Sequence, residues 1–193
     1  MPNFPFRAFT LKHNGRLVNR IVIDIGLSLP FDPAHGSPPG LTILPVKALW
    51  DTGATGSVVT PATIAALGLI STGTAQTSTA NGVRLASTYL VNLYLPQKVA
   101  FPGLLVTDCS DTQGFGAIIG MDVMSQGDST ISNHKGETWL SFRVPSSGGV
   151  DYVVESNRAA YAGAGRNDPC PCGQIDPNSG RPKKYKKCHG ATH

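Results

Sequence analysis

Asp51, Thr52, Gly53 and Ala54 lie between two apolar runs, Ala48-Leu49-Trp50 and Ser57-Val58-Val59. A carboxylate in such surroundings is costly unless it is paired, hydrogen-bonded or put to use. Gly53 lets the chain turn sharply, and the Thr52 hydroxyl can anchor the turn. A carboxylate held this way can act as a general base toward a bound water. A second group stands near the other end of the chain, where Cys170 and Cys172 are followed by the adjacent pair Cys188 and His189. Three thiolates and an imidazole are a donor set for a structural, tetrahedral zinc ion.

Leu49-Trp50-Asp51-Thr52-Gly53-Ala54 resembles the active-site loop of the retropepsin-like aspartic proteases, and the segments after it follow that family's order. Pro61 to Ala66 leads into Leu67-Gly68-Leu69, Asn81-Gly82 offers a hairpin turn, and Ile118-Ile119-Gly120 precedes Met121-Asp122. The resemblance spans about residues 15 to 145. It implies an all-β, closed-barrel acid-protease fold in which Asp51, Thr52 and Gly53 are catalytic-loop residues. Ala80, Asn81 and Gly82 would form the tip of a flap over the substrate. Asp122, just after Gly120, reads as the cap of a short helix. Asp108 and Asp111 read as solvated loop residues.

Aspartic proteases use two carboxylates that share one proton, because like charges about 3 Å apart cannot both ionise. This chain has one such loop, so the chemistry requires a homodimer with one Asp51 from each copy and a peptide or protein as substrate. Ala54 cannot donate the hydrogen bond that a hydroxyl residue would offer the carboxylate, which implies a mildly acidic to near-neutral working range. The alternative is a non-catalytic adaptor that uses the same fold to dimerise or to bind peptides. The intact Asp-Thr-Gly turn argues against it.

Residues 1–145 form the expected protease domain. Only 15% of the 193 residues are charged, and 22 glycines and 15 prolines punctuate the chain. That composition suits a β-rich domain with many turns. Strands are expected at Arg7 to Leu11 and Leu17 to Leu29, joined as a hairpin at Asn14-Gly15. A second hairpin, Gly73 to Thr79 with Val83 to Leu95, is the flap candidate. Further strands are expected at Val99 to Thr107, Ala117 to Gly120, Ser129 to Ser132 and Thr138 to Val144. The Pro30 to Gly40 run reads as a loop near one end of the groove. Trp50 and Trp139 read as core or groove aromatics, Cys109 as a lone buried thiol, and His134 as a turn residue.

From Pro145-Ser146-Ser147-Gly148-Gly149 the composition changes, and residues 146–165 read as a flexible linker. Val150 to Val154 is a short apolar piece that could instead pair with a partner chain. Asn167-Asp168-Pro169-Cys170-Pro171-Cys172-Gly173 and Lys183-Lys184-Tyr185-Lys186-Lys187-Cys188-His189-Gly190 resemble the SEC-C motif, the zinc module also found at the C-terminus of the SecA translocation motor. Residues 166–193 would be that module, with Gln174 to Pro182 longer than the usual connection. Disulfides are the competing reading of the four cysteines. No secretory h-region follows Met1, which favours zinc and a cytoplasmic location. No apolar run reaches the roughly 18 residues needed to span a membrane. Seven Lys or Arg against four Asp or Glu over residues 151–193 give the tail a basic surface that could meet RNA, a ribosome or an acidic protein, and the resemblance to the SecA zinc module implies a ribosome or protein partner. Sequence-specific DNA binding is disfavoured.

Overall fold

The computed structural model describes residues 7–79, 82–109 and 114–190. It divides into two units, Met1–Gly148 and Gly149–His193. The first unit is built on ten strands: β1 Arg7–Lys12, β2 Ile21–Ser28, β3 Leu44–Trp50, β4 Val58–Val59, β5 Gly73–Thr79, β6 Gly82–Leu95, β7 Val99–Asp108, β8 Ala117–Ile119, β9 Asp128–His134 and β10 Glu137–Val144. Two short helices interrupt them, α1 at Pro61–Leu67 and α2 at Met121–Met124.

Strands β2, β3, β8, β4, β7 and β6 pair in that order, and β2 pairs again with β6 to close a six-stranded barrel. The alternating burial of β2, with Ile21, Ile23, Ile25 and Leu27 inward, is the pattern that one buried face imposes. Strand β5 lies outside the closed circle. It pairs only with β6, from Gly73 opposite Thr88 to Thr79 opposite Gly82. That register makes Gly82 the first residue of β6, with φ of 111°.

The expected hairpin between the first two strands does not form. Asn14 and Gly15 do turn, with φ of 39° and 74°. The chain bends there around Thr138, whose carbonyl accepts from His13 N and whose hydroxyl accepts from Val18 N. β1 pairs instead with β10, setting Phe9 opposite Phe142 and Leu11 opposite Leu140, and β9 completes a separate three-stranded sheet. The reason lies in the aromatics. Phe9 and Phe142 meet Trp50 with ring centroids 6.2 and 5.3 Å away. Edge-on aromatic pairs contribute about 0.5–1.5 kcal/mol each beyond their buried area. A β1–β2 hairpin would forgo them.

α1 starts where Thr60 caps it, accepting from Thr63 N with Pro61 in the first turn. It ends at Gly68, whose left-handed conformation (φ 62°) suits glycine. The loop at residues 30–40 packs beside β6, where Asn92 Nδ2 donates to Phe31 O. Its residues are not among those lining the Asp51 cleft. In the second unit, helix α3 covers Tyr152–Ala160, so the apolar piece at Val150 to Val154 leads into a helix and not a strand. Asp151 Oδ1 accepts from Val153 N and Val154 N at its start. No helix is long and apolar enough to cross a membrane among the described residues.

Asp128 clasps the chain as it leaves β10. Hydrogen bonds from the Ser146 hydroxyl and Ser147 N, with Arg143 alongside, lower its pKa from 3.8 to about 2. A depressed carboxylate stabilises the fold above its ordinary value and ceases to do so as pH falls through its folded value. The Ser147 amide is therefore expected to lose hydrogen-exchange protection between pH 3.8 and about 2. Asp128→Asn should produce the same loss at neutral pH.

Candidate functional site

β3 delivers Asp51 to the end of the barrel beside β8, since the two strands are parallel and Trp50 lies opposite Ile119. Asp51 N donates to Ile119 O at 3.0 Å, which carries the pairing one step past the strand. The chain then turns. Gly53 N donates to Asp51 Oδ1 at 2.9 Å and Ala54 N to Asp51 O at 3.2 Å. The carboxylate thus organises its own turn while remaining half-exposed. It lines a cleft of about 370 Å³ with Asn19, Arg20, Trp50, Thr52 and Ile131, and it is the one carboxylate among the described residues lining it. Thr52 and Gly53 are exposed at the rim.

Ala54 O and Thr55 O are held from the other side by Met121 N at 2.8 Å and Asp122 N at 3.1 Å. This close approach requires glycine at 120, because a Cβ there would lie 2.6 Å from Gly56 C and 2.8 Å from Gly56 O. Asp122 is not the helix cap that the sequence suggests. Gly120 occupies that position, and the Asp122 side chain instead reaches back to Ser57. Sequence reasoning gave Asp122 the wrong partner and Ser57 no role. The available signal was a hydroxyl inside an apolar run, Ser57, which is 3% exposed and must find a partner.

The β5–β6 hairpin is tied to Asp108 of β7 from both ends of its outer half. Arg84 donates to the Asp108 backbone carbonyl, and Ser87 N donates to Asp108 Oδ1 at 2.8 Å. Asp108 is therefore a structural anchor and not a solvated loop residue. Of the three expected flap-tip residues, Gly82 is at the start of β6, while Ala80 and Asn81 lie outside the described residues, as does Asp111. Cys109 is half-buried and directs its thiol to Val59 O. His134 packs edge-on against Trp139.

In the second unit, Cys170, Cys172, Cys188 and His189 converge so that their ligand atoms all lie within 4.8 Å of one another. Cys172 Sγ is 3.6 Å from Cys188 Sγ, and His189 Nδ1 is 3.4 Å from Cys170 Sγ and 3.3 Å from Cys188 Sγ. Tetrahedral zinc, with Zn–S near 2.3 Å and Zn–N near 2.0–2.1 Å, sets ligand-to-ligand edges of roughly 3.5–3.8 Å, so the donor set fits. Cys170, Cys172 and Cys188 are not joined in a disulfide among the described residues. Burial raises the Cys170 thiol, but hydrogen bonds from Cys172 N and from His189 outweigh it and leave its pKa at about 6. Burial, followed by its thiol neighbours Cys172 and Cys170, raises Cys188 to about 11.

Local folding explains the convergence. Cys170 N donates to Lys183 O, and Pro169 bridges Lys184, which aligns the two ligand pairs. The extra residues between them form a small hairpin, with Ile175 opposite Pro182 and Lys183 N bonded to Gln174 O. The longer connection therefore folds on itself and leaves the ligands together. Tyr161 lays its ring 4.7 Å from that of His189, a contact for which the sequence offers no spacing signal.

Residues 40–123 match the aspartyl protease family. SecA from Solidesulfovibrio magneticus is 48% identical over 59 residues, covering 30% of this chain and 6% of that protein. SecA from an Anaeromyxobacter species is 75% identical over 28 residues, 14% of this chain and 2% of SecA. The chain thus spans only a small fraction of these relatives' length. Among solved structures, a retropepsin-like aspartic protease from Rickettsia conorii aligns with 75% of this chain and 98% of its own, at 16% identity and a TM-score of 0.47. The retroviral protease-like domain of Ddi1 from Leishmania major aligns with 56% of this chain and 79% of its own, at 17% identity and a TM-score of 0.35.

Gly120→Ala forces a methyl against backbone that has nowhere to move. It should cost about 1–3 kcal/mol, seen as a lower urea midpoint of the first unit.

Proposed function

We propose that this chain, whose residues 40–123 match the aspartyl protease family and which carries a Cys3His cluster like that of SecA, is a homodimeric aspartic endopeptidase with a zinc-stapled docking module. The observation that carries this reading is Asp51, fixed in a turn by its own carboxylate and open to a cleft whose described lining holds no other acid. A second copy supplies the second acid.

Asp51 from each chain then forms a pair sharing one proton. The ionised member takes a proton from a water placed between them, and the water oxygen attacks the scissile carbonyl. The protonated member donates to the carbonyl oxygen, and the collapsing intermediate passes a proton to the departing amine. Thr52 and Gly53 hold the loop, and the hairpin that includes Ala80, Asn81 and Gly82 closes over an extended peptide to exclude water. Cys170, Cys172, Cys188 and His189 hold zinc as a structural staple, and catalysis needs no cofactor. The basic surface around Lys183 to Lys187 docks on a ribosome or an acidic protein face. The setting is cytoplasmic, a compartment in which zinc-ligating thiols stay reduced.

Asp51→Asn should lower cleavage of an unfolded protein substrate by roughly 10²–10⁴-fold without loss of stability. Undiminished cleavage by that variant would return the chain to the adaptor reading. Specific activity should fall on dilution through the dimer dissociation constant, and the rate should be bell-shaped in pH with an optimum at about 5 to 6. Metal analysis should find one zinc per chain. Cys170→Ser should lose it while the first unit keeps its urea midpoint, since the two units are separate.

A further inference from the structure

We infer that Asp122 is a positioning residue for Asp51, setting the spacing of the catalytic pair through Ser57. This rests on the protease reading above.

Asp122 Oδ2 accepts from Ser57 N at 2.9 Å. Its Oδ1 accepts from the Ser57 hydroxyl at 2.8 Å and from Val123 N at 2.9 Å. The Ser57 oxygen, having donated, accepts from Gly120 N at 3.0 Å. Protons in this chain all run one way, from Gly120 to Ser57 to Asp122. Three donors converge on one side chain, and a carboxylate accepts on both oxygens with nothing of its own to donate. An amide cannot replace it. With its oxygen toward Val123 and the Ser57 hydroxyl, its NH₂ would face the Ser57 N–H. Turned over, its NH₂ would face the Val123 N–H.

The loop from Asp51 to Ser57 is therefore fixed at both ends to one short stretch of chain. Asp51 N is bonded to Ile119 O at the first end, and Ser57 to Asp122 at the last. Between them, the ties of Met121 and Asp122 amides to Ala54 and Thr55 carbonyls are backbone only. Asp122 is thus the charged side chain on which the loop's C-terminal end depends. Asp122 is also absent from the residues lining the Asp51 cleft, and its side chain is taken up by Ser57 and Val123. A displacement of about 1 Å in a catalytic group costs about 10²-fold in rate. The separation of the pair's two macroscopic pKa values follows the distance between the two carboxyls.

The test compares wild type, Asp122→Asn, Ser57→Ala and the double variant on one unfolded protein substrate, with urea midpoints measured alongside. Ser57→Ala keeps the amide bond to Asp122, which provides a gentler perturbation should Asp122→Asn fold poorly. Each single variant is expected to lower kcat by about 10- to 100-fold with KM nearly unchanged, and to alter the width of the bell in the pH profile. The double variant should be little worse than the poorer single one, since both act on one network. Folded variants with wild-type kcat and an unaltered pH profile, or losses that simply multiply in the double variant, overturn the inference while Asp51-dependent cleavage stands. Wild-type cleavage that does not depend on Asp51 removes the protease reading and this inference together.

Discussion

Two turns that are distant in sequence satisfy each other's backbone. Past the last ladder pair, Trp50 with Ile119, the Asp51 to Ser57 loop and the Gly120 to Asp122 turn leave the strands at the barrel's end, and backbone amides without partners are costly. They share hydrogen bonds instead: Asp51 with Ile119, Ala54 with Met121, Thr55 with Asp122. The parallel pairing of β3 with β8 brings the turns together, and β4 returning antiparallel beside β8 locks the exit. The barrel can be read as the scaffold that this exchange requires. Gly120 follows from it, because any side chain there would hold the two backbones apart.

The second unit faces the opposite problem. Over residues 149–190 it offers little apolar material, and Cys170 is its one buried residue in the described core. Small segments of this kind need a staple. The four ligands provide the place for one, and two strand-like bridges hold them in register. Tyr161 extends the folded part upstream of the ligand motif by resting on His189.

Much of this was legible in the sequence because it depends on local chemistry. The Asp51 turn, the hairpin at residues 73–95 and the Cys3His set each follow from a few neighbouring residues. What escaped depended on partners far along the chain. Asn14-Gly15 signals a turn correctly, but the strand before it is claimed by β10 through Phe9 and Phe142, a choice made by ring packing and not by turn type. Asp122 looks like a helix cap from its neighbours, and only the fold reveals that Ser57 waits opposite. The helix at Tyr152–Ala160 begins in a β-branched run, where propensity argued for extension and Asp151 capping favoured a helix.

β6 is unbroken from its start at Gly82 to Leu95, yet it serves two structures. Its second half is a stave of the closed barrel, and its first half belongs to the β5 hairpin outside. The hairpin is therefore a modular part of the chain. Residues added in matched numbers to β5 and to the outer half of β6 would lengthen it without altering any barrel pairing. A single residue inserted directly after Thr88 would put the barrel half of β6, where Val91, Leu93 and Leu95 are buried, out of step with β7. Variation in the length of this hairpin is thus open to evolution in one half of a strand and closed in the other.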